Sequence, residues 1–599
     1  MTDRVLLSLM VCASFLLSCG KEGTSDKTDG DKDVVAEVTE VTKVTSSISI
    51  NLSTDKALYS PGETVRFHAD NIPSGAKIRY RHGFDVVATE DASGNDWEWT
   101  APEKDFTGYL VDVFTTRNDG TEVIYGTIAL DVSSDWTVYP RYGFVGDFGR
   151  DKLSEGVIES EMEFLCRCHI NGVQFYDWHN KHHWPLGGTV GNLDEVYKDI
   201  ANRDVYTEAV KKYISVQHSM GMKSMFYNLC FGALDDAAAD GVKDEWYIFK
   251  GQGHTDRDFH GLPASWKSSI YVLDPGNEQW QAYIAERNSE VYDSFDFDGF
   301  HIDQLGDRGT RYDWDGNTVN LPKAYASFID AMKKADPDKY LVMNSVSSYG
   351  ASQIAGTGKV GFLYNELWGS EASFKSLYNV IKANDTYSDG KLKTVLAAYM
   401  NYNCDNREFN TPGVLMADAV MFALGGSHLE LGDHMLCREY FPYQGVRMSE
   451  ALRTMIVRYY DFMTAYENLL RQDGTAAEMK VDMSCTSGSK NVKMAYWPPQ
   501  ASRVVTFGKQ TGGRKVVHLL NFLSAENLDW RDTDGNTPEP RLVNELPVEM
   551  KVSGKINRIW AASPDFHAGA PVELAFRQTS GSVVFTVPSL KYWTMIVIE

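Results

Sequence analysis

The chain has 599 residues, of which 43% are hydrophobic and 23% are charged, and this composition is typical of a folded protein with several domains. Its formal net charge is -24 at pH 7. So acidic a surface argues against binding to nucleic acid or to an anionic membrane through the overall electrostatic field, and it suits a neutral substrate.

The first residues are typical of an exported protein. The apolar run over 5–17 has the length of a signal-peptide core and is too short to cross a bilayer as a helix. The Leu-Leu-Ser-Cys sequence that ends at Cys19 resembles a bacterial lipobox, which would make Cys19 the lipidated residue; a plain secretory signal is the alternative. We therefore expect a signal peptide over 1–19 and contact with the membrane through a lipid anchor only.

Residues 20–46 are polar and acidic and offer a core almost nothing to bury, which predicts a flexible tether. The acidic residues close behind Cys19 resemble the surface-export signal of Bacteroidetes lipoproteins. This resemblance implies attachment to the outer membrane of a Gram-negative bacterium, at the cell surface or on the periplasmic side.

The cysteines predict no metal site. Cys166 and Cys168 lie close to His169, but this spacing does not match a zinc site, and no second pair of ligands follows. We expect these thiols to be buried, and we expect no metal and no cofactor. The sequence leaves open a disulfide among Cys166, Cys168, Cys230, Cys404, Cys437 and Cys485.

Residues 47–135 alternate apolar and polar positions between turns. Val65 and Phe67, for example, share one face behind a Pro-Gly turn. Short strands at such regular spacing predict an immunoglobulin-like β-sandwich with a supporting role.

From 136 to 475, short apolar strands alternate with longer helical stretches, such as the one whose stripe contains Trp280, Ile284 and Val291. Eight strand-then-helix units predict a central (β/α)8 TIM barrel. The segment between the third and fourth strands is long enough to hold extra loop structure over the active face. The predicted strands cover 142–149, 172–180, 223–231, 298–306, 340–346, 360–368, 394–402 and 425–433.

From 476 to 599 the pattern returns to strands, which predicts a C-terminal antiparallel β-sandwich. The predicted fold class is therefore a multidomain α/β plus all-β protein, in which the barrel is flanked by two β-sandwich domains.

Polar residues end several of the predicted barrel strands. The active site of a (β/α)8 barrel lies at the carboxyl ends of its strands, so these residues are candidates for a site. Carboxylates, amides and flat aromatic rings suit a sugar, and neither a phosphate loop nor a nucleophile elbow is present. We predict Asp303 and Glu366 as catalytic residues and, as substrate-binding residues, Tyr176, Asp177, Trp178, Tyr227, Asn228, His301, Gln304, Trp368, Tyr402, Asn403, Glu430 and Asp433.

Alternation along the fourth strand selects Asp303. His301 and Asp303 share a face, so Asp303 reaches the barrel mouth while His301 lies one layer lower. On the sixth strand Glu366 is followed by Trp368, and an acid beside aromatic surface should have a raised pKa, as a general acid requires. The alternative role for Asp303 is that of a helix cap, which suits Asp307 better.

These motifs resemble glycoside hydrolase family 66, which contains dextranases and cycloisomaltooligosaccharide glucanotransferases. The resemblance rests on FDGFHIDQLGD around Asp303, LYNELWGS around Glu366 and QFYDWHNKHHWP, and it covers about 47–599. It implies a retaining mechanism on α-1,6-linked glucans, with Asp303 as nucleophile, Glu366 as acid/base, and Tyr176 and Asp177 at the sugar site. It also implies that transferase members carry a carbohydrate-binding module inserted in the barrel. The segments between the predicted strands four to eight are too short to contain such a module.

A retaining endo-dextranase that releases isomaltooligosaccharides is therefore the leading prediction, with dextran as the partner and a monomer as the expected state. A cycloisomaltooligosaccharide glucanotransferase and a hydrolase of another α-glucan or of an α-galactoside are the enzymatic alternatives. A surface glycan-binding lipoprotein with a degenerate barrel is the non-enzymatic alternative, which the presence of both carboxylates disfavours. We expect no nucleic-acid partner.

Overall fold

The computed structural model describes residues 34–471, 477–486 and 492–599. Its central feature is a sheet of eight parallel strands that neighbour one another in the order in which they occur along the chain. A parallel bridge between Phe144 and Gly432 joins the first strand to the chain behind the eighth, so the sheet forms a nearly closed barrel. The strands are β1 Tyr142–Val145, β2 Gly172–Phe175, β3 Lys223–Leu229, β4 Gly299–Asp303, β5 Tyr340–Val346, β6 Leu363–Glu366, β7 Thr394–Ala397 and β8 Ser427–His428.

Helices alternate with these strands along the chain. All eight strand segments predicted from the sequence take part in the sheet in the predicted order, so the barrel is confirmed. Most strands are shorter than predicted, above all β8, and β7 ends at Ala397, five residues before its predicted end. The helices are α1 Val157–Arg167, α2 Thr207–Ser219, α3 Glu278–Ser294, α4 Leu321–Ala335, α5 Ala351–Gly356, α6 Phe374–Tyr387, α7 Thr411–Leu424, α8 Glu450–Ala465 and α9 Glu467–Leu470.

An N-terminal cap and a buried apolar face stabilise α3, the helix that precedes β4. Asn277 caps α3, because its side chain accepts hydrogen bonds from the backbone N–H groups of Gln279 and Trp280. Trp280, Ile284 and Val291 are buried along one face of the helix, as the stripe in the sequence predicts.

Close packing leaves little freedom to the strand that carries Asp303. Phe300 stacks on Phe226 of β3, with ring centroids 4.7 Å apart, in the layer between sheet and helices. Gly299 begins β4, and a Cβ at this position would lie 2.3 Å from the carbonyl oxygen of Tyr340 on β5. Only glycine therefore allows β4 and β5 to approach this closely, and the register that results places Asp303 at the barrel mouth.

Two β-rich regions flank the barrel, and their assignment as an immunoglobulin-like domain and a C-terminal sandwich stays a prediction. In each region two sheets enclose a core. The N-terminal sheets contain Val44–Ser46, Leu52–Thr54, Thr64–Ala69, Lys77–His82, Asp85–Asp91, Asp96–Thr100, Thr107–Thr116 and Glu122–Val132. The C-terminal sheets contain Ala477–Met479, Met483–Cys485, Met494–Tyr496, Val504–Thr511, Arg514–Asn521, Val543–Lys551, Ile559–Ala562, Val572–Glu573, Phe576–Thr579, Ser582–Leu590 and Trp593–Ile598, together with Val34–Val38.

The start of the described chain corrects the prediction of a flexible tether over 20–46. Val34–Val38 pairs antiparallel with Phe576–Thr579 of the C-terminal region. Val44–Ser46 pairs with the first residues of Glu122–Val132 in the N-terminal region. The tether prediction is therefore wrong for this part of the segment, which connects the two flanking regions.

The physical reason is an alternation that the overall polarity of the segment hides. Ala36 and Val38 are two residues apart, and both pack against the C-terminal core. The predicted signal peptide and the lipidation site Cys19 lie in residues 1–33, outside the described residues. Among the described residues, no helix combines the length and the apolarity needed to cross a bilayer.

Six cysteines belong to the described residues, and each is a free thiol. Cys166 and Cys168 are buried, as expected, and so are Cys230, Cys404 and Cys437.

Asp461 on α8 ties the barrel to the N-terminal region. Its buried carboxylate accepts hydrogen bonds from the backbone N–H of Ala129 (2.9 Å), from the Arg167 guanidinium (2.8 and 2.9 Å) and from His169 Nε2 (2.8 Å). Burial opposes ionisation, but the charge of Arg167 and the bonds from His169 and Arg167 lower the pKa of Asp461 to about 2.

Replacing Asp461 by alanine should lower the free energy of unfolding by about 3 kcal/mol, because it leaves the partly buried Arg167 cation and the buried His169 and Ala129 N–H groups without their partner. Urea unfolding followed by circular dichroism measures the change. The control is Asp330→Ala on α4, whose 55% exposed side chain pairs with Lys359 and should contribute about 0–1 kcal/mol.

The effect of Asp461 should also depend on pH. The depressed pKa stabilises the fold above the ordinary aspartate pKa of about 4, and this contribution is lost as the pH falls toward 2. The difference in the free energy of unfolding between the parent and Asp461→Ala should therefore decrease as the pH falls toward 2. Equal losses for Asp461→Ala and Asp330→Ala at pH 7 would show that the network adds nothing to stability.

Candidate active site

A cavity of about 670 Å³ lies at the carboxyl ends of the barrel strands, within the size range of small-molecule sites. Its wall is rich in aromatic side chains and carboxyl groups, and none of the described residues that line it is a lysine or an arginine. The aromatic side chains are Tyr176, Tyr227, Trp266, Tyr364, Trp368, Tyr399, Tyr440 and Phe441, and the acids are Asp177, Asp303, Glu366 and Glu439.

The two predicted catalytic carboxyl groups meet in this cavity. Asp303 is the last residue of β4 and Glu366 the last residue of β6. Asn344 on the intervening strand β5 joins them, because its Nδ2 donates to Asp303 Oδ1 (2.7 Å) and to Glu366 Oε2 (3.0 Å). These two bonds hold the bonded oxygens of Asp303 and Glu366 within about 6 Å of each other.

A tyrosine binds the other oxygen of each acid. The Tyr227 hydroxyl on β3 donates to Asp303 Oδ2 (2.7 Å), and the Tyr399 hydroxyl behind β7 donates to Glu366 Oε1 (2.9 Å). Every carboxyl oxygen of the pair therefore has a donor, and side chains of β3 to β6 and of the segment behind β7 hold the pair in place.

Burial at the floor of the cavity raises the pKa of both acids. For Glu366, burial and the neighbouring charge of Asp303 raise the pKa to about 7, although the bonds from Asn344 and Tyr399 oppose the shift. For Asp303, burial raises the pKa while the bonds from Tyr227 and Asn344 lower it. Neighbouring acids whose pKa values are pushed apart can divide the roles of proton donor and nucleophile. A pKa of about 7 lets Glu366 retain a proton near neutral pH, and the hydrogen bonds from Tyr227 and Asn344 favour the ionised form of Asp303.

Six of the predicted substrate-binding residues line the cavity, namely Tyr176, Asp177, Tyr227, His301, Gln304 and Trp368. Asp177 follows the end of β2 with a positive φ of 48°, and its buried Oδ2 has no hydrogen-bond partner among the described residues. Burial raises the pKa of Asp177 well above its usual range.

His301 and Gln304 lie at the bottom of the cavity, where both side chains are also bound to the surrounding protein. The His301 ring stacks on Tyr142 and Tyr227, one layer below Asp303 as predicted, and burial lowers its pKa to about 3. Gln304 accepts hydrogen bonds through Oε1 from the Tyr325 hydroxyl (3.3 Å) and from a nearby backbone N–H. Both residues therefore support the cavity floor from below.

Trp178 and Asn228 lie outside the cavity, which corrects the prediction that they bind substrate. Trp178 is fully buried against Phe226 and Phe297, in the layer between sheet and helices. Asn228 faces away from the barrel axis because its neighbour Tyr227 faces inward, and its Nδ2 donates to a backbone carbonyl 2.8 Å away.

The other four predicted contacts do not line the cavity. The side chains of Glu430 and Asp433 are buried elsewhere, which corrects their prediction, while substrate contact by Tyr402 and Asn403 stays a prediction. Tyr402 donates to Glu439 at the rim (2.8 Å), and Asn403 donates to Asp534 of the C-terminal region (3.0 Å). Glu430 is buried behind β8, where it accepts a hydrogen bond from a tyrosine of α8. The Asp433 side chain accepts hydrogen bonds from two backbone N–H groups that follow β1.

The cavity also contains residues that the sequence analysis did not select as site residues. His260 and Trp266 belong to the long connection between β3 and α3, and the Trp266 ring lies 5.6 Å from that of Tyr440. The length of this connection was the sequence feature that could have pointed to His260 and Trp266, because extra structure over the active face was expected there. Asn344 lies near the carboxyl end of β5, so its polar side chain on an apolar strand was a signal that could have found it, whereas Tyr399 needed knowledge of where β7 ends.

The family model described as glycosyl hydrolase family 66 matches residues 54–597. The chain belongs to glycosyl hydrolase family 66. This result confirms the resemblance drawn from the motifs around Asp303 and Glu366, and it covers most of the chain.

Members of family 66 with different activities are similar to this chain. A cycloisomaltooligosaccharide glucanotransferase from Niallia circulans is 27% identical over 714 aligned positions, which cover 91% of this chain and 71% of the relative. A dextranase from Streptococcus salivarius is 26% identical over 566 positions, which cover 82% of this chain and 67% of the relative.

A solved structure also resembles the chain. It is that of a cycloisomaltooligosaccharide glucanotransferase from Paenibacillus sp. in complex with cycloisomaltoheptaose. Its TM-score is 0.83 at 24% identity, and the match covers 92% of this chain and 100% of that chain. At this identity the likeness shows a shared fold.

Proposed function

We propose that this family 66 protein is a retaining endo-hydrolase that cleaves α-1,6-glucosidic linkages in dextran and releases isomaltooligosaccharides. The observation that carries the proposal is the pair formed by Asp303 and Glu366, which one amide nitrogen of Asn344 joins at the cavity floor.

The spacing of the pair supports retention of the anomeric configuration. Retaining glycosidases place their carboxyl groups about 5–5.5 Å apart, and inverting enzymes need about 6.5–9.5 Å to admit a water molecule. The shared bonds to Asn344 hold one oxygen of each acid within about 6 Å, which favours the shorter distance. Asp303 then acts as the nucleophile and Glu366 as the acid/base.

The composition of the cavity wall supports a neutral sugar as substrate. Carboxyl groups accept hydrogen bonds from hydroxyls, and aromatic rings pack against the C–H faces of a sugar. An anionic substrate would meet the acids of the wall without a lysine or arginine among the described lining residues to bind it.

The alignments support hydrolysis over cyclisation. The alignment with the glucanotransferase from Niallia circulans spans 714 positions, more than the 599 residues of this chain, so the transferase carries insertions that this chain lacks. An inserted carbohydrate-binding module is what the family resemblance implies for transferase members, and the barrel of this chain has no such insert between β4 and β8.

Digestion of dextran with product sizing tests the proposal. We expect a rapid fall in polymer length and linear isomaltooligosaccharides, because an endo-enzyme cuts within the chain. Proton NMR of the first products should show the α-anomer, as retention requires. Cyclic products would identify a transferase, release of monosaccharide alone would exclude endo-action, and an initial β-anomer would exclude the assigned roles of Asp303 and Glu366.

A further inference from the structure

The two oxygens of Glu366 face chemically different groups. Oε2 accepts a hydrogen bond from the amide nitrogen of Asn344, and Oε1 accepts one from the hydroxyl of Tyr399. An amide nitrogen can only donate, whereas a phenol can donate or accept. Of these two neighbours, only Tyr399 can therefore accept a hydrogen bond from a protonated Glu366.

The orientation of the Asn344 amide follows from its second contact. The same nitrogen donates to Asp303 Oδ1 at 2.7 Å. If the amide were turned, its oxygen would face Asp303, which must be negatively charged to act as a nucleophile. Both N–H groups of Asn344 are thus committed to the two acids, and Glu366 Oε2 remains an acceptor.

We infer that Tyr399 is a positioning residue that holds the catalytic proton on Oε1 of Glu366; the inference rests on the proposed function. In the acid form, Oε1–H donates to the Tyr399 oxygen. In the carboxylate form, the Tyr399 O–H donates to Oε1. The ring of Tyr399 is 2% exposed and lies 5.7 Å from that of Trp368, so the hydroxyl can change its role by rotation while the ring stays in place.

The two steps of the reaction use this exchange. In the first step the bond between C1 and the leaving O6 breaks, and an Asp303 oxygen bonds to C1. The Oε1 proton leaves its hydrogen bond with Tyr399 and moves to O6, and the Tyr399 O–H turns to donate to Oε1. In the second step a water oxygen bonds to C1, the ester to Asp303 breaks, and a water proton moves to Oε1. Glu366 returns to its acid form, so the proton count closes over one turnover.

The chain offers a matched control in Tyr227. Its hydroxyl donates to Asp303 Oδ2 at 2.7 Å, and its side chain is buried in the same cavity wall. Tyr399→Phe and Tyr227→Phe each remove one hydroxyl from one acid of the pair. They differ in which acid loses its partner.

The experiment compares two substrates with these variants. Cleavage of dextran expels an alcohol that needs a proton, whereas α-isomaltotriosyl fluoride expels fluoride, which needs little help from an acid. We expect Tyr399→Phe to lower kcat on dextran about 10- to 100-fold, a part of the 10²–10⁴-fold contribution of a positioned general acid, and to change the rate on the fluoride less than about 3-fold. Tyr227→Phe should lower both rates by similar factors.

The outcomes separate the inference from the function on which it rests. A wild-type enzyme that cleaves neither substrate would overturn the proposed function and the inference with it. If the wild-type enzyme cleaves both substrates, the proposed function stands. The inference alone is then wrong if Tyr399→Phe lowers both rates by the same factor, or lowers neither. Thermal unfolding of both variants checks that a lost rate is not a lost fold.

Discussion

Replacing Asp303 by alanine should lower kcat on dextran by about 10⁴-fold or more, because the variant has no group that can bond to the anomeric carbon. Replacing Glu366 by glutamine should lower it about 10²–10⁴-fold, because the amide cannot give a proton to the leaving oxygen or take one from water. Initial rates of reducing-end release from dextran measure both changes.

The control is Asp307→Asn, four residues beyond Asp303. Asp307 is exposed and accepts a hydrogen bond from the backbone N–H of Gly309 at 2.8 Å, so it holds a turn and does not line the cavity. We expect its variant to keep the parental rate within about twofold. Full activity of either Asp303→Ala or Glu366→Gln on dextran would refute the assignment of the pair.

Azide offers a further check on the nucleophile. A small anion can enter the space that the Asp303 side chain leaves and attack the anomeric carbon from the same side. Asp303→Ala supplied with azide and an activated substrate should therefore form a glycosyl azide of inverted configuration. Glu366→Gln should not form that inverted product, since Asp303 still occupies the nucleophile position.

The sequence predicts the barrel and its catalytic pair for a definite physical reason. Parallel barrel strands are buried on both faces, so each appears as a short apolar run between helical stretches. A charged residue at the end of such a run has few structural roles. Because side chains alternate along a strand, Asp303 lies on the same face as His301. Asp303 and Glu366 are indeed the last residues of β4 and β6.

The substrate contacts were harder to predict because an apolar run in the sequence does not determine where the strand ends. The run over 394–402 continues well past β7, which ends at Ala397. The residue that reaches the pair is consequently Tyr399, and the predicted Tyr402 and Asn403 lie beyond the cavity.

β8 shows the same effect more strongly. It ends at His428, so Glu430 and Asp433 lie in the connection behind it and form bonds outside the cavity. Alternation at Ala36 and Val38 is compatible with a strand, but only pairing with a distant segment decides that Val34–Val38 joins the C-terminal region.

Asn344 gives the second large expected effect. Asn344→Ala removes one donor from each acid, and a hydrogen bond to a charged group contributes about 1.5–3 kcal/mol. We expect kcat on dextran to fall about 10²–10³-fold, because the two acids lose both the bridge that fixes their separation and part of the stabilisation of their charge.

The pH profile should move in a defined direction. The bonds from Asn344 lower the pKa of Asp303 and oppose the rise in the pKa of Glu366 to about 7. Without them both pKa values rise, so Asp303 ionises only at higher pH and Glu366 keeps its proton to higher pH. Both limbs of the bell-shaped profile of kcat/KM should therefore shift upward relative to the parent, whose activity should decline above about pH 7.

Asn365→Ala on β6 is the matched control. Asn365 is a buried asparagine of the same sheet, but it faces away from the cavity, donating to Ser345 (3.0 Å) and accepting from Asn384 (2.6 Å). Its variant should lose stability and keep both limbs of the parental profile, because it touches neither acid. Two results together would contradict this role: an unshifted pH profile for Asn344→Ala, and a similar fall in kcat for Asn365→Ala. The amide of Asn344 would then contribute packing only and would not control the pKa values of Asp303 and Glu366.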